Sequence, residues 1–194
     1  PDNLVSTYRI EEYFSFLLQR INLQRDIHFY TNTTIDTLDY SGTSINSGSK
    51  VVFAAAGEIK REPGNFVPHF LAKYKGQIIM PGVVAVQLNK FTNYDAAHEE
   101  LNALSNELKP YIHELNNFPF IILTDDSAFT ADTLNNFLWV AFTRTNPSHD
   151  IYGVDSFTVN KHWGCNGSVI FDARKKPHHA PELLLDEKAE KRAD

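Results

Sequence analysis

The chain is short of the residues that carry ready-made chemistry. It has one cysteine, Cys165, among 194 residues, so no internal disulfide can form. A lone cysteine of this kind points to a reducing cytoplasm. No CxxC or HExxH spacing occurs, so a structural zinc site is not expected. Gly42 to Gly48 with Ser49-Lys50 has five intervening residues, and its Lys follows Ser, so it fails as a phosphate loop. No apolar stretch approaches the roughly 20 residues of a membrane helix, and no signal peptide is visible. There is no basic excess either. The net charge of -6 gives no electrostatic reason to bind nucleic acid or an anionic membrane. What is present is a core: 42% hydrophobic residues, with 14 Phe and 8 Tyr, which argues against disorder.

The strongest signal is internal. Helix-like Ile10–Arg20 is followed by Asn22, Asp26-Ile27 and Thr34, then Gly48-Ser49 and an apolar run. Helix-like Leu134–Arg144 is followed by Asn146, Asp150-Ile151 and Thr158, then Gly167-Ser168 and an apolar run. Spacing is identical up to Thr, and the loop before Gly-Ser is shorter in the second copy. Such a repeat is read as one supersecondary unit used twice around a common core. Copy one spans about 8–60 and copy two about 118–185, within one domain over 1–194.

Between and around the copies, Ile27–Tyr30, Lys50–Ala56, Val83–Leu88, Phe118–Leu123, Ile151–Val154 and Val169–Phe171 read as strands, with Lys50–Ala56 buried. Asp95–Leu108 reads as a helix with Ala97, Leu101, Leu104 and Leu108 on one stripe. Asp132 is the expected N-cap of the second repeat helix. Thr31–Ser49 is a long polar loop and a functional candidate by its length. Arg61–Gly76 reads as an irregular linker. Pro181 onward reads as a surface helix. The fold expected is α/β, a three-layer sandwich with a mixed, largely parallel sheet and an internal helix-strand-strand repeat.

Few residues invite a catalytic reading. Asp125-Asp126 follow an apolar strand, where open α/β sheets place their sites and where a hard cation could be held. Consecutive side chains point apart, however, and acidic residues suit a helix start, so the structural reading is preferred. His162 and His178-His179 are read as hydrogen-bonded loop and interface histidines. Cys165 is read as a buried, inert thiol. Gly48 and Gly167 are expected at tight turns into strands. No complete catalytic constellation is visible.

Four phrases in order are more specific. They are Asn32-Thr-Thr-Ile-Asp-Thr-Leu-Asp39-Tyr40 with Gly48-Ser49-Lys50; Ile121–Asp126; Phe137-Leu-Trp139-Val-Ala-Phe-Thr143-Arg144 with a following Pro and Asp; and Asp172-Ala-Arg174-Lys-Lys-Pro177-His-His-Ala-Pro181. Together they resemble the carboxy-terminal domain of the longer UbiD-type (3-octaprenyl-4-hydroxybenzoate carboxy-lyase) decarboxylases, over most of Ile10–Leu185. The resemblance implies a parent carboxy-lyase that uses prenylated FMN and a divalent metal to decarboxylate aromatic or unsaturated acids. A hydroxybenzoate precursor of ubiquinone or menaquinone is one substrate class it implies. The cofactor does the hard chemistry and the protein orients it.

The same resemblance places the catalytic Arg and acids, the flavin phosphate and the metal in an upstream flavin-binding domain that has no match here. No cofactor or metal, and no activity, is then expected of this chain alone. Its start at Pro1 and its charged end, Asp186–Asp194, are read as those of a piece cut from a longer chain. The domain would pack protomers into a homo-oligomer through apolar residues such as Phe66, Phe70 or Phe91. It would also give one wall of the cleft through Thr33, Thr34 and Ile35, with Ile35 facing the substrate ring. Phe157-Thr158-Val159 is the equivalent in copy two. An ordinary surface turn is an equal reading of that loop. Arg20 and Arg144 are helix-end residues of the repeat and take no catalytic role. Two further readings stay open: a stand-alone α/β oligomerisation or binding module, and a small hydrolase using Asp125 and Asp126.

Overall fold

The computed structural model describes residues 5–37, 39, 41, 42, 44 and 46–180. Leu38 and Tyr40 of the first phrase, Pro1, and the expected helix from Pro181 lie outside the described residues. Copy one forms α1 (Ile10–Arg20), β1 (Ile27–Thr33) and β2 (Gly48–Phe53). The middle of the chain forms α2 (His69–Ala72), β3 (Gln77–Met80), β4 (Val83–Gln87), α3 (Tyr94–Leu108), a 3-10 turn at Lys109–Tyr111 and α4 (Ile112–Leu115). Then follow β5 (Phe120–Thr124), α5 (Ser127–Asp132), α6 (Leu134–Arg144) and α7 (Pro147–Asp150). The last strands are β6 (Ile151–Gly153), β7 (Ser156–Val159), β8 (His162–Cys165) and β9 (Val169–Asp172).

The main sheet has the order β3-β4-β5-β9-β6. Its central strands β4, β5 and β9 run parallel, and the edge strands β3 and β6 are antiparallel to their neighbours. Continuous apolar strands of this kind are covered on both faces. Alternate residues sort accordingly. Val83, Phe120, Ile122 and Val169 join Phe14, Leu18, Phe137 and Val140 of α1 and α6. Val84, Val86, Ile121 and Ile170 join Leu71 of α2 and Leu101, Leu104 and Leu108 of α3. The period-two alternation of a strand thus builds two cores and three layers.

The repeat is visible in atoms as well as letters. In copy one the Asn22 N–H donates to Asp26 Oδ2 at 3.0 Å, and Asp26 N–H returns a bond to Asn22 O at 2.8 Å. In copy two the Asn146 N–H donates to Asp150 Oδ2 at 2.7 Å, and Asp150 N–H to Asn146 O at 2.8 Å. Each Asp side chain braces the turn from helix to strand.

Beyond that turn the copies diverge. β1 and β2 pair with each other in a separate antiparallel ribbon. In copy two the strand stops at Gly153, where a Cβ would lie 2.6 Å from Cys165 Cβ, and β7 resumes to pair with β8. The ribbon packs on the main sheet through Phe53, whose ring is 5.2 Å from Phe120, and on β8 through Phe29, 5.4 Å from Trp163.

Several expectations are corrected. Lys50–Ala56 is not a buried strand of the main sheet: β2 starts at Gly48, and Lys50 and Val52 are exposed on the outlying ribbon. The cap of α6 is Thr133, which accepts from Asn136 N–H at 3.0 Å; Asp132 instead ends α5. Arg61–Gly76 is anchored, with Arg61 Nη1 donating to Leu18 O at 2.8 Å and Ile21 O at 2.7 Å at the end of α1. Gly48 opens β2 after the Ser44–Ser47 turn and Gly167 sits in the bend before β9, as expected, but what glycine serves there is close approach, since neither has a positive φ. A Cβ would meet Ile35 Cδ1 at 2.8 Å in the first and Val154 Cβ at 2.8 Å in the second.

Candidate functional site

Polar side chains converge at the carboxyl ends of β4, β5 and β9, where parallel sheets place their chemistry. Arg174 forms a fork with Asp172, Nε to Oδ1 at 2.8 Å and Nη2 to Oδ2 at 2.7 Å. Its Nη1 donates to Asn89 O at 2.8 Å and to Glu100 Oε2 at 2.5 Å. Lys176 Nζ donates to Asp172 O at 2.7 Å and Arg144 O at 3.0 Å, and lies 3.3 Å from Asp150 Oδ1. Arg174, Asp172, Lys176 and Asp150 are all about 1% exposed. Burial pushes Asp150 up to about 6 against the pull of Lys176. Burial likewise lowers Lys176 below the usual lysine range, against Asp150 and Asp172. Desolvation therefore outweighs pairing on both sides, as expected for an internal ion pair. The cluster locks the closing phrase onto the sheet. It offers no free acid or base.

Asp125 and Asp126 are likewise spoken for. Asp125 Oδ2 accepts from Lys175 N–H at 2.7 Å and from Arg144 Nη1 at 3.4 Å. Asp126 caps α5, accepting from Phe129 N–H at 3.0 Å. Among the described residues, no group of three or more His, Cys, Asp or Glu is placed to hold a metal ion. Cys165 is buried, its thiol pushed up to about 12 by burial, and Sγ donates to Gly167 O at 3.2 Å. His162 and Cys165, three apart on β8, project to opposite faces. The His162 ring instead sits 5.6 Å from His28. His179 Nδ1 accepts from Lys176 N–H at 3.1 Å, and its ring lies 4.7 Å from His178.

The loop after β1 has a defined geometry. The register of β1 shifts between Tyr30 and Thr33, and Asn32 sits there at φ +83°, a left-handed conformation that Asn tolerates. Thr33 pairs with Gly48, Thr34 is exposed, and Ile35 is partly buried over Gly42 and Gly48. The three residues thus stand together at the end of the ribbon, with Ile35 seated on two glycines. The second-copy equivalents behave differently: Phe157, Thr158 and Val159 form the regular strand β7.

Sequence reasoning missed one feature. A cleft of about 480 Å³ lies between α1 and α6, walled by β2 and floored by Phe120, Ile122 and Phe171. Thr145, at the end of α6, lines it. Its Oγ1 is buried and has no hydrogen-bond partner, a cost of about 1–3 kcal/mol for a hydroxyl. No sequence signal marks this cleft, because its walls come from seven separate elements.

Comparison with known proteins bears on the whole chain. Residues 2–55 match the profile of the 3-octaprenyl-4-hydroxybenzoate carboxy-lyase C-terminal domain. Over those residues the chain is similar to a UbiD-type carboxy-terminal domain. It is 28% identical over 193 residues to a 4-hydroxybenzoate decarboxylase subunit of Chlamydia pneumoniae, covering 95% of this chain and 30% of that protein. It is 27% identical over 180 residues to an uncharacterized protein of Chlamydia caviae, covering 88% of this chain and 28% of that one. The chain therefore spans under a third of the length of the curated relatives it matches. The profile falls on copy one, including Thr33, Thr34 and Ile35. Copy two is reached through the relatives, and the Asn–Asp brace ties it to copy one. Among the described residues no helix is long and apolar enough to cross a membrane.

Proposed function

We propose that this chain is the carboxy-terminal assembly and active-site-wall domain of a UbiD-like decarboxylase that uses prenylated FMN and acts on aromatic or unsaturated carboxylic acids. The observation that carries the reading is the lopsided match: 95% of this chain aligns with 30% of a decarboxylase polypeptide. The profile also falls on the residues that hold Thr33–Ile35. In this reading Thr34 and Ile35 supply an apolar, water-excluding edge to a cleft completed by an upstream flavin-binding domain. Excluding water there strengthens the electrostatics of decarboxylation.

The residues present do not fit the cofactor itself. A flavin phosphate with a divalent metal needs free cations and a converging set of oxygen ligands. Here the buried cations Arg174 and Lys176 are committed to carboxylates and carbonyls. No step of the reaction is therefore assigned to this chain beyond walling and assembly. Assembly is supported by exposed aromatic side chains on neighbouring helices: Phe129 of α5, and Trp139 (50% exposed) and Phe142 (65%) of α6. Exposed apolar groups of this kind mark interfaces. Of the residues expected from sequence, Phe66 is exposed (61%), whereas Phe70 is buried against Tyr111 and Phe91 packs on Tyr94.

The test is the size of the native protein in cell extract, detected with an antibody raised against this chain. A band near three times 22.1 kDa that co-purifies with flavin is expected from the length of the relatives. A flavin-free band at 22.1 kDa would overturn the reading in favour of a free-standing module.

A further inference from the structure

The two hairpins outside the main sheet, β1–β2 and β7–β8, meet at a pair of histidines. His28 of β1 pairs across its hairpin with Val52, and His162 of β8 pairs with Val159. Side chains directly opposite in an antiparallel pair share a face. Val52 is 45% exposed and Val159 57%, so both histidines lie on the solvent-facing sides of their hairpins. Their rings meet across the junction with centres 5.6 Å apart and planes tilted by 59°. The next residues along, Phe29 and Trp163, turn to the opposite faces and meet at 5.4 Å, which holds β1 beside β8.

Neither imidazole is committed elsewhere. Among the described residues neither ring makes a hydrogen bond or an ion pair, and His162 Nε2 is buried with no partner. His149 and His179, by contrast, each engage a neighbour through Nδ1. A buried nitrogen left without a partner is uncommon in a folded protein. Metal coordination would supply one, since neutral imidazole is the commonest metal ligand among side chains. With Zn–N bonds of about 2.0–2.1 Å, two imidazoles on one tetrahedral ion have ring centres about 5 Å apart. The separation of His28 and His162 is close to that span. No carboxylate pairs with either ring, so the oxygen ligands that calcium and magnesium need are missing, and imidazole suits zinc, copper and nickel.

We propose that His28 and His162 together bind one divalent ion of the zinc class, each through one ring nitrogen, with water completing the coordination. The ion staples the hairpin of copy one to that of copy two. Two protein ligands make it an exchangeable surface site, unlike the four-ligand structural sites built from paired cysteines.

The test titrates zinc chloride calorimetrically into metal-stripped full-length protein at neutral pH. The parent is expected to bind one zinc ion per chain that His28→Gln and His162→Gln each weaken about tenfold or more, since even groups that merely support a metal ligand are worth that much. The His28-dependent heat should be absent with magnesium, and absent with zinc at about pH 5, because a protonated imidazole cannot ligate. A zinc isotherm unchanged by His28→Gln would overturn the proposal. So would a His28-dependent heat with magnesium, or one that survives at about pH 5. His28 is exposed on its strand, so His28→Gln decides the matter even if His162→Gln fails to fold. A metal held by an upstream flavin-binding domain is common to parent and variant and cancels in the difference. Failure of the histidine site would therefore leave the decarboxylase reading untouched.

Discussion

Asn146 and Asp150 are joined twice, the carboxylate accepting the Asn146 N–H at 2.7 Å while the Asp150 N–H returns to the Asn146 carbonyl at 2.8 Å. Asn22 and Asp26 repeat the bond pair, but their surroundings differ. Asp26 is lowered from the ordinary carboxylate value: burial opposes this, and the Arg25 side chain with the Asn22 N–H outweighs it. Asp150 faces Lys176 in the interior. The same brace is thus paired with a surface arginine in one copy and part of a buried ion pair in the other.

Removing the two carboxylates should therefore cost different amounts. Asp150→Ala leaves the Lys176 ammonium buried without its acid and is expected to lose about 3–5 kcal/mol. Asp26→Ala loses the turn brace alone and is expected to cost about 1–2 kcal/mol. Urea unfolding of each variant checks the order. Equal losses would mean that the brace, and not the ion pair, dominates in both copies.

Arg174→Lys should be nearly as damaging as truncation. The guanidinium satisfies Asp172, Asn89 and Glu100 at once through its fork. An ammonium cannot present two parallel donors to one carboxylate. A loss of about 2–4 kcal/mol is expected in the same assay, from charged hydrogen bonds left unmade. A loss below about 0.5 kcal/mol, typical of a solvated surface site, would show that the network is dispensable.

Much of the fold is legible in the letters, and the exceptions have physical causes. The repeat helices fall at Ile10–Arg20 and Leu134–Arg144 as the apolar periodicity predicts, and the stripe Ala97, Leu101, Leu104 and Leu108 is buried. The β7–β8 hairpin is hidden by its turn. Asn160 and Lys161 both take positive φ, at 51° and 65°, but Lys in place of the usual Gly masks the hairpin signal. β2 misleads because its Val51-Val52-Phe53 run looks buried, whereas the ribbon exposes one face. The buried ion pair of Asp150 and Lys176 is illegible because it joins distant residues, and the cleft because no single segment forms it.

Ile35 is tested by its glycine seat and by its chemistry. Gly48→Ala places a methyl 2.8 Å from Ile35 Cδ1 and should cost about 1–3 kcal/mol by overpacking. Adding Ile35→Val, which removes that Cδ1, should recover part of the loss. In the full-length decarboxylase proposed above, Ile35→Asp should lower kcat/KM at least about tenfold, with flavin content and oligomer mass unchanged. Unchanged kcat/KM would return Thr33–Ile35 to an ordinary surface turn.

Acid should act on the fold through a half-buried and a buried group of opposite sense. Burial first, then the nearby Lys176 charge, lowers His179 from its ordinary 6.5 to about 4. Its Nδ1 accepts from the Lys176 N–H, so protonating that nitrogen would break the bond. Because the folded value lies below the unfolded one, the unfolded chain binds the extra proton first. Stability from this residue is present above pH 6.5 and is lost as pH falls from 6.5 toward 4. Asp150 acts in the opposite direction. Its folded value of about 6 exceeds the ordinary 3.8, so that group alone favours folding as pH drops through the same range. Melting temperatures between pH 7 and about 4.5 separate the two. His179→Gln, whose amide oxygen can still accept a hydrogen bond but cannot titrate, should flatten the acid-side decline. Asp150→Asn should steepen it relative to the parent. If His179→Gln declined as steeply as the parent, another group would have to carry the proton, and the His179 ring would be a packing residue with no share in acid sensitivity.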